Sequence, residues 1–203
     1  MSRIILASGS PRRRERLTKA GIEFTVQVSH EEERYTKSHP AEIVMELAEQ
    51  KARHIAGLQT ALKEDTVVIG ADTVVAVDEN ILGKPEDAAE AAAMIRSFQG
   101  REHQVYTGVC LIRLVPDENG RFLKETTIRI FHACSNVYVQ PLSEEEIRAY
   151  VDLGESMDAA GAYKIQGAFG KYITRIEGDL NNIIGLPADD VVRELNLLTG
   201  GAL

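Results

Sequence analysis

The 203-residue chain has no tryptophan, two cysteines, five histidines and six prolines, and aromatics make up 5% of it. Each shortage excludes something. Cys110 and Cys134 both sit in strand-like apolar stretches with no other Cys nearby. They build neither a disulfide framework nor a thiolate metal site, and both are expected as buried thiols. His30, His39, His54, His103 and His132 show no metal-type spacing. Any metal here is therefore a hard cation held by carboxylates. The longest apolar runs, such as Thr66-Val-Val-Ile-Gly-Ala71, are a few residues each, far below the ~20 that span a bilayer. No membrane partner is expected. Met1 to Ala7 lead into the first apolar run without an export pattern, so a cytoplasmic location is expected. The formal net charge of -8 argues against a nucleic-acid partner, which calls for clustered Lys and Arg. A small anion in a local basic pocket remains compatible with it. Walker A loops, Gly-x-Gly-x-x-Gly and Ser/His/Asp arrangements are missing too.

What is present is an ordinary globule, 44% apolar and 27% charged. Its length suits a single domain over 1–203, with two lobes and no linker, burying ~70% of the unfolded chain's surface. Residues 3–8 read as a buried strand. A helix over 11–20 follows, with Ser10 as N-cap, Pro11 in the first turn and Gly21 as stop. Glu23–Val28 alternates as a strand does. A helix from His39-Pro40 to Gly57 carries Ile43, Leu47, Ala48, Ala52 and Ile55 on one face. Two β-branched runs, 66–71 and 73–77, flank Asp72, and Asp78-Glu-Asn80 is a turn. Pro85 opens an Ala-rich helix ending near Gly100. Strands at 103–115 and 121–139 are joined by the turn Pro116-Asp-Glu-Asn-Gly120. Ser143-Glu-Glu-Glu146 is a capping box. Lys171–Glu177 is a strand, and Pro187 begins the last helix. Alternating strands and helices with one long hairpin predict an α/β fold with a mixed sheet.

Several residues sit where structure alone does not ask for them. Arg12, Arg13 and Arg14 occupy the first turn of a helix, where the dipole disfavours cations and the free N–H groups favour an anion. A phosphate would offset that cost; three solvated arginines are the alternative. In Gly83-Lys84-Pro85 a lysine again precedes a predicted helix start. Lys51 lies on the apolar stripe between Leu47 and Ile55, so it either snorkels or enters a cleft. Asp72 interrupts a β-branched stretch, either as a paired acid at a cleft floor or as a turn cap. Glu31, Glu32 and Glu33 read by charge alone as a solvated run. Several cations, backbone donors and an acid together suit phosphoryl chemistry with Mg²⁺ or Mn²⁺.

Six blocks then appear in order: Ala7-Ser-Gly-Ser-Pro-Arg-Arg13, Gly70-Ala-Asp-Thr-Val74, Gly83-Lys-Pro85, His103–Gly108, Ala160-Gly-Ala-Tyr-Lys-Ile-Gln-Gly167 and Gly185-Leu-Pro187. In these the chain resembles the Maf (septum formation inhibitor) family of nucleoside triphosphate pyrophosphatases. The resemblance implies an elongated α/β fold with a mixed sheet flanked by helices, and two lobes around a nucleotide-binding cleft. It implies hydrolysis of a nucleoside triphosphate to the monophosphate and pyrophosphate, in the branch acting on dTTP and UTP. Such an activity removes non-standard or excess nucleotides and has a link to septum formation. Ser8, Arg12, Arg13 and Lys51 would bind the triphosphate, with Lys84 at the reacting phosphates. Asp72 would be the proton acceptor, Glu33 and Asp72 would hold a divalent cation, Mg²⁺ or Mn²⁺, and Arg12, Thr73 and Gln166 would set selectivity. A homodimer is left open as the assembly. The chain departs from the family pattern at Lys164, where relatives usually carry Gly, and at Leu180, where an aromatic is common. Rival readings are a nucleotidyltransferase, and a non-catalytic nucleotide-binding regulator of septum formation.

Overall fold

The computed structural model describes residues 2–59, 62–117 and 123–201, without the side chains of 123–125. In chain order the elements are β1 (Arg3–Leu6), α1 (Pro11–Lys19), β2 (Thr25–Val26), α2 (Pro40–Gly57), β3 (Thr66–Val77), β4 (Asn80–Leu82), α3 (Ala88–Phe98), β5 (Glu102–Pro116), β6 (Leu123–Val139), α4 (Glu144–Val151), β7 (Ile173–Glu177), α5 (Leu180–Ile184) and α6 (Ala188–Thr199). The strands form one seven-stranded mixed sheet in the order β2-β1-β3-β5-β6-β7, with β4 also on β3. β1 runs parallel to β2 and β3, and the remaining pairs are antiparallel. This is the predicted α/β class.

Apolar periodicity decides what lies where. The predicted stripe of α2 is buried throughout and packs on one face of β1, β3 and β5. On the opposite face Leu17 of α1 and Val191, Leu195 and Leu198 of α6 cover the same strands. A second lobe gathers around α3 and α4, with Phe98, Ile147, Tyr150 and Phe169 at its centre. The long strands β3 and β5 run through both lobes. Within the second lobe His103 is fully buried, bonded through Nε2 to the Tyr163 hydroxyl at 2.8 Å. Burial pushes its pKa down to about 3, so it is a neutral core residue near neutral pH.

Local expectations fare unevenly. The Ser143 capping box is complete in both directions. Ser10 is the N-cap of α1 by position, without a side-chain bond. The strand expected over 23–28 shrinks to Thr25–Val26, an exposed edge pair, because its only strand partner, β1, meets it through its last two residues, Ile5 and Leu6. α3 starts at Ala88 rather than Pro85, since the Asp87 carboxylate caps it by accepting from the Glu90 N–H at 2.8 Å. Residues 168–172 coil as a short 3₁₀ turn, which delays β7 to Ile173. Cys134 is exposed, contrary to expectation: strand alternation turns Ser135 and Val137 inward and Cys134 out. Cys110 is buried as expected, which pushes its thiol pKa up to about 12. Of the turn predicted at 116–120, residues 118–120 lie outside the described residues.

Two glycines let α2 lie directly on the sheet. A Cβ at Gly70 would run into Ala48 O and the Ala52 backbone, and one at Gly108 into the Val44 carbonyl and Met45 N. These obstacles are backbone and cannot rotate away. Gly108→Ala is therefore expected to destabilise by about 3 kcal/mol, a Tm lower by about 6–12 °C for a chain of this size. An unchanged thermal melt would contradict this packing.

Candidate active site

On one side β3 is paired with β5 from Thr66 to Ala76. On the other side β1 pairs only Thr66–Ile69 and β4 only Val75–Val77. Residues 70–74 have no strand beside them there, so the sheet forks. Asp72 and Thr73 sit in the fork, and consecutive strand residues face opposite ways. Asp72 faces α2 and Thr73 faces α1. A cleft of about 1160 Å³ opens at this point, and its walls include Ser8, Arg12, Arg13, Glu33, Lys51, Asp72, Thr73, Lys84 and Gln166. Every residue to which the family resemblance gives a site role lines this one cleft, whereas Arg14, Glu31 and Glu32 do not.

On the α2 side, Lys51 enters the cleft rather than snorkelling outward. Its Nζ lies 2.5 Å from Asp72 Oδ1 and 2.9 Å from Glu33 Oε1. Asp72 is 8% exposed, so its charge needs the partner that Lys51 supplies. Asp72 Oδ2 takes no hydrogen bond from another described residue, which leaves it to the cleft. Glu33 parts from its neighbours here, since Glu32 pairs with Arg34 instead.

On the α1 side, Arg13 is held at three points. Nε donates to Gly185 O at 2.9 Å, Nη1 to Ser8 Oγ at 3.1 Å and Nη2 to Thr73 Oγ1 at 3.1 Å. Two of its five N–H donors remain for a ligand. Burial lowers the Arg13 pKa, partly offset by the Asp72 carboxylate; arginine stays a cation under such shifts. Arg12 also lines the cleft, whereas Arg14 turns away to the Gly9 carbonyl at 3.1 Å. Two of the three arginines therefore line the cleft beside the start of α1, an arrangement that suits phosphate.

The second lobe supplies the facing wall. Lys84 is exposed and forms no ion pair with a described carboxylate. It precedes the Asp87 cap by three residues, so the loop after β4 presents it and not a helix start. That loop is tied down by Gly161 N donating to Gly83 O at 3.0 Å. Gln166 is exposed on a turn closed by Gly167 N to Lys164 O at 3.0 Å and Ala168 N to Glu155 Oε2 at 3.0 Å. Lys164, the departure from the family pattern, anchors that turn through an ion pair to Asp158 at 2.6 Å. Glu155, Asp158 and Gly185 line the cleft and were not anticipated as site residues. Glu155 and Asp158 precede the Ala160–Gly167 block in a stretch without periodicity, so no local signal marks them.

Two carboxylates, Glu33 and Asp72, converge on the Lys51 ammonium, each through one oxygen. Among the described residues no group of three or more His, Cys, Asp or Glu could hold a metal. The pair nonetheless fits a hard divalent cation of the kind bound by one or two carboxylates plus substrate phosphate oxygens.

The chain matches the family model described as Maf-like protein over residues 3–198. It belongs to the Maf family. This Maf chain is 45% identical over 195 residues to a dTTP/UTP pyrophosphatase of Lachnoclostridium phytofermentans, covering 96% of the chain and 94% of the relative. It is 44% identical to a dTTP/UTP pyrophosphatase of Bacillus cytotoxicus, covering 100% and 98%. A solved dITP/XTP pyrophosphatase from Mycobacterium abscessus is a remoter match, 16% identical over 99% of this chain and 98% of that one, with a TM-score of 0.41. No helix among the described residues of the Maf chain is long and apolar enough to cross a membrane.

Proposed function

We propose that this protein hydrolyses dTTP and UTP to the monophosphate and pyrophosphate. The observation that carries the reading is the forked strand, which sets a Lys51-bound acid pair opposite the Arg13 fork within one cleft. Arg12, Arg13, Ser8 and the start of α1 bind the triphosphate. Lys84 meets the charge that grows on the departing pyrophosphate. Asp72 accepts the proton of the attacking water through its free Oδ2. Lys51 holds Asp72 and Glu33 in place. Glu33 and Asp72 are the residues that would hold a divalent cation, which when bound neutralises phosphate charge and acidifies water.

Base selectivity rests on Gln166, a neutral polar group lining the cleft, while the Thr73 hydroxyl is taken up by Arg13 and Thr107 on the phosphate side. Thymine and uracil present a carbonyl beside a ring N–H, an edge that an amide matches with its own donor and acceptor. Cytosine presents a different edge. The exposure of Gln166 keeps the discrimination moderate, with dTTP and UTP favoured over CTP by about 10–100-fold in kcat/KM. The assay incubates the purified chain with each triphosphate and Mn²⁺ and measures pyrophosphate. Turnover that requires a sugar phosphate would identify a nucleotidyltransferase instead, and tight binding without turnover a regulator. A ranking led by GTP, 7-methyl-GTP or CTP would overturn the base assignment and leave the pyrophosphatase standing.

A further inference from the structure

We propose that Thr107 is a positioning residue that fixes the aim of the Arg13 fork through Thr73; this rests on the phosphate-binding role given above to Arg13. Thr107 is fully buried on β5, directly across the ladder from Thr73, and does not line the cleft. Its oxygen lies 2.9 Å from Asn182 O and 2.9 Å from Thr73 Oγ1. A hydroxyl has one proton, and a carbonyl can only accept. The Thr107 proton therefore goes to Asn182 O. The Thr73 proton must then go to Thr107, which leaves none for Gly185 O at 3.4 Å. Thr73 meets Arg13 Nη2 purely as an acceptor. The whole chain has a single direction: Arg13 donates to Thr73, Thr73 to Thr107, and Thr107 to the Asn182 carbonyl.

The far end of this chain is rigid. The Asn182 side chain is buried and donates to Val105 O and Ser135 Oγ, each at 2.9 Å. The same segment supplies Gly185 O, which takes Arg13 Nε at 2.9 Å. The guanidinium is thus held in two places by the stretch 182–185, directly and through two threonines. Without the Thr107 hydroxyl, the Thr73 proton loses the acceptor that fixes its direction and is free to turn to Gly185 O, swinging the Thr73 lone pairs away from Arg13 Nη2. The fork then loses its single orientation, although no group touching the substrate has been removed.

The test uses the full chain, with kcat and KM for dTTP and the Kd for inorganic tripolyphosphate, in wild-type and Arg13→Gln backgrounds. Thr107→Val keeps the volume and removes the hydroxyl; Thr107→Ser keeps the hydroxyl. Thr107→Val is expected to lower kcat/KM about tenfold, and Thr107→Ser to recover most of that loss. In the Arg13→Gln background the same substitution should change kcat/KM by less than about twofold, because the partner it positions is gone. Equal fractional losses in both backgrounds, or no loss in the wild type, would overturn the proposal. If Thr107→Val does not fold, Thr107→Cys, with a weaker donor of similar size, is read the same way and should give an intermediate loss. A wild-type protein without turnover sinks the proposed function alone. The same comparison is then made on tripolyphosphate affinity, where an effect of Thr107→Val independent of Arg13 rejects the positioning role.

Discussion

A folded Asp72→Asn protein is expected to hydrolyse dTTP roughly 10²–10⁴ times more slowly than the wild type. The substitution keeps the size of the side chain and removes its ability to accept a proton or hold a cation. Its position makes the loss hard to compensate. Asp72 sits where β3 has no neighbour between β1 and β4, and Oδ2 is the oxygen left to the cleft. Glu33, the other acid on Lys51, comes from an exposed loop and cannot take that place without moving the loop. The fold should survive. Stripping a buried charge of its only partner costs about 3–5 kcal/mol, but here Lys51 keeps Glu33 at 2.9 Å. Thermal melts run beside the kinetics separate lost chemistry from lost structure. Near-normal turnover in a folded Asp72→Asn protein would remove Asp72 from its role as base and leave that role to another acid of the cleft, such as Glu155.

The features that were legible in the sequence are those set by local rules. The α2 stripe, the Ser143 capping box and the long β5–β6 pair each follow from spacing along one segment. Lys51 could be marked as anomalous because Leu47 and Ile55 bracket it, but not which way it turned. That depends on Gly70 and Gly108, which let α2 sink onto the sheet and bring its lysine level with Asp72. The fork in β3 was out of reach, because it is defined by where β1 and β4 stop. Arg14 parts from Arg12 and Arg13 by the 100° that each helical residue turns, and three adjacent arginines carry no mark of which will face inward. Glu33 was separable from Glu31 and Glu32 only by resemblance; its contact with Lys51 is 18 positions away. α5 has five residues, two of them asparagine, and exists because Asp179 accepts from the Asn181 and Asn182 N–H groups. Periodicity cannot reveal so short a helix, yet its C-terminal carbonyls hold Arg13 and the buried threonine.

Lys84→Ala should lower kcat by about 10²–10³ with almost no change in stability. Both halves of this expectation follow from how Lys84 is placed. It is exposed and makes no ion pair or side-chain hydrogen bond among the described residues, and surface changes of that kind stay within about 0.5 kcal/mol. The loop is held without it, by the Gly83 carbonyl and by buried Pro85. On the reaction proposed above, the same lack of a partner would give Lys84 its catalytic weight. The Lys51 charge is already shared by two carboxylates and the Lys164 charge by Asp158. Lys84 thus leaves its positive charge to the cleft that Arg12 and Arg13 also line, where in the proposed reaction departing pyrophosphate would gather negative charge. An interaction that strengthens in the transition state lowers kcat when removed, whereas one that only binds substrate raises KM and leaves kcat alone. Lys84→Arg should retain part of the activity, since a charge is kept and only its shape changes. Arg13→Lys should be more damaging than that exchange, because three separately aimed bonds from a planar fork become one point charge. An exposed charge is also screened, so the gap between wild type and Lys84→Ala should narrow as ionic strength rises. Unchanged kcat and KM in Lys84→Ala would make Lys84 an ordinary surface lysine and leave the leaving group to Arg12 and Arg13.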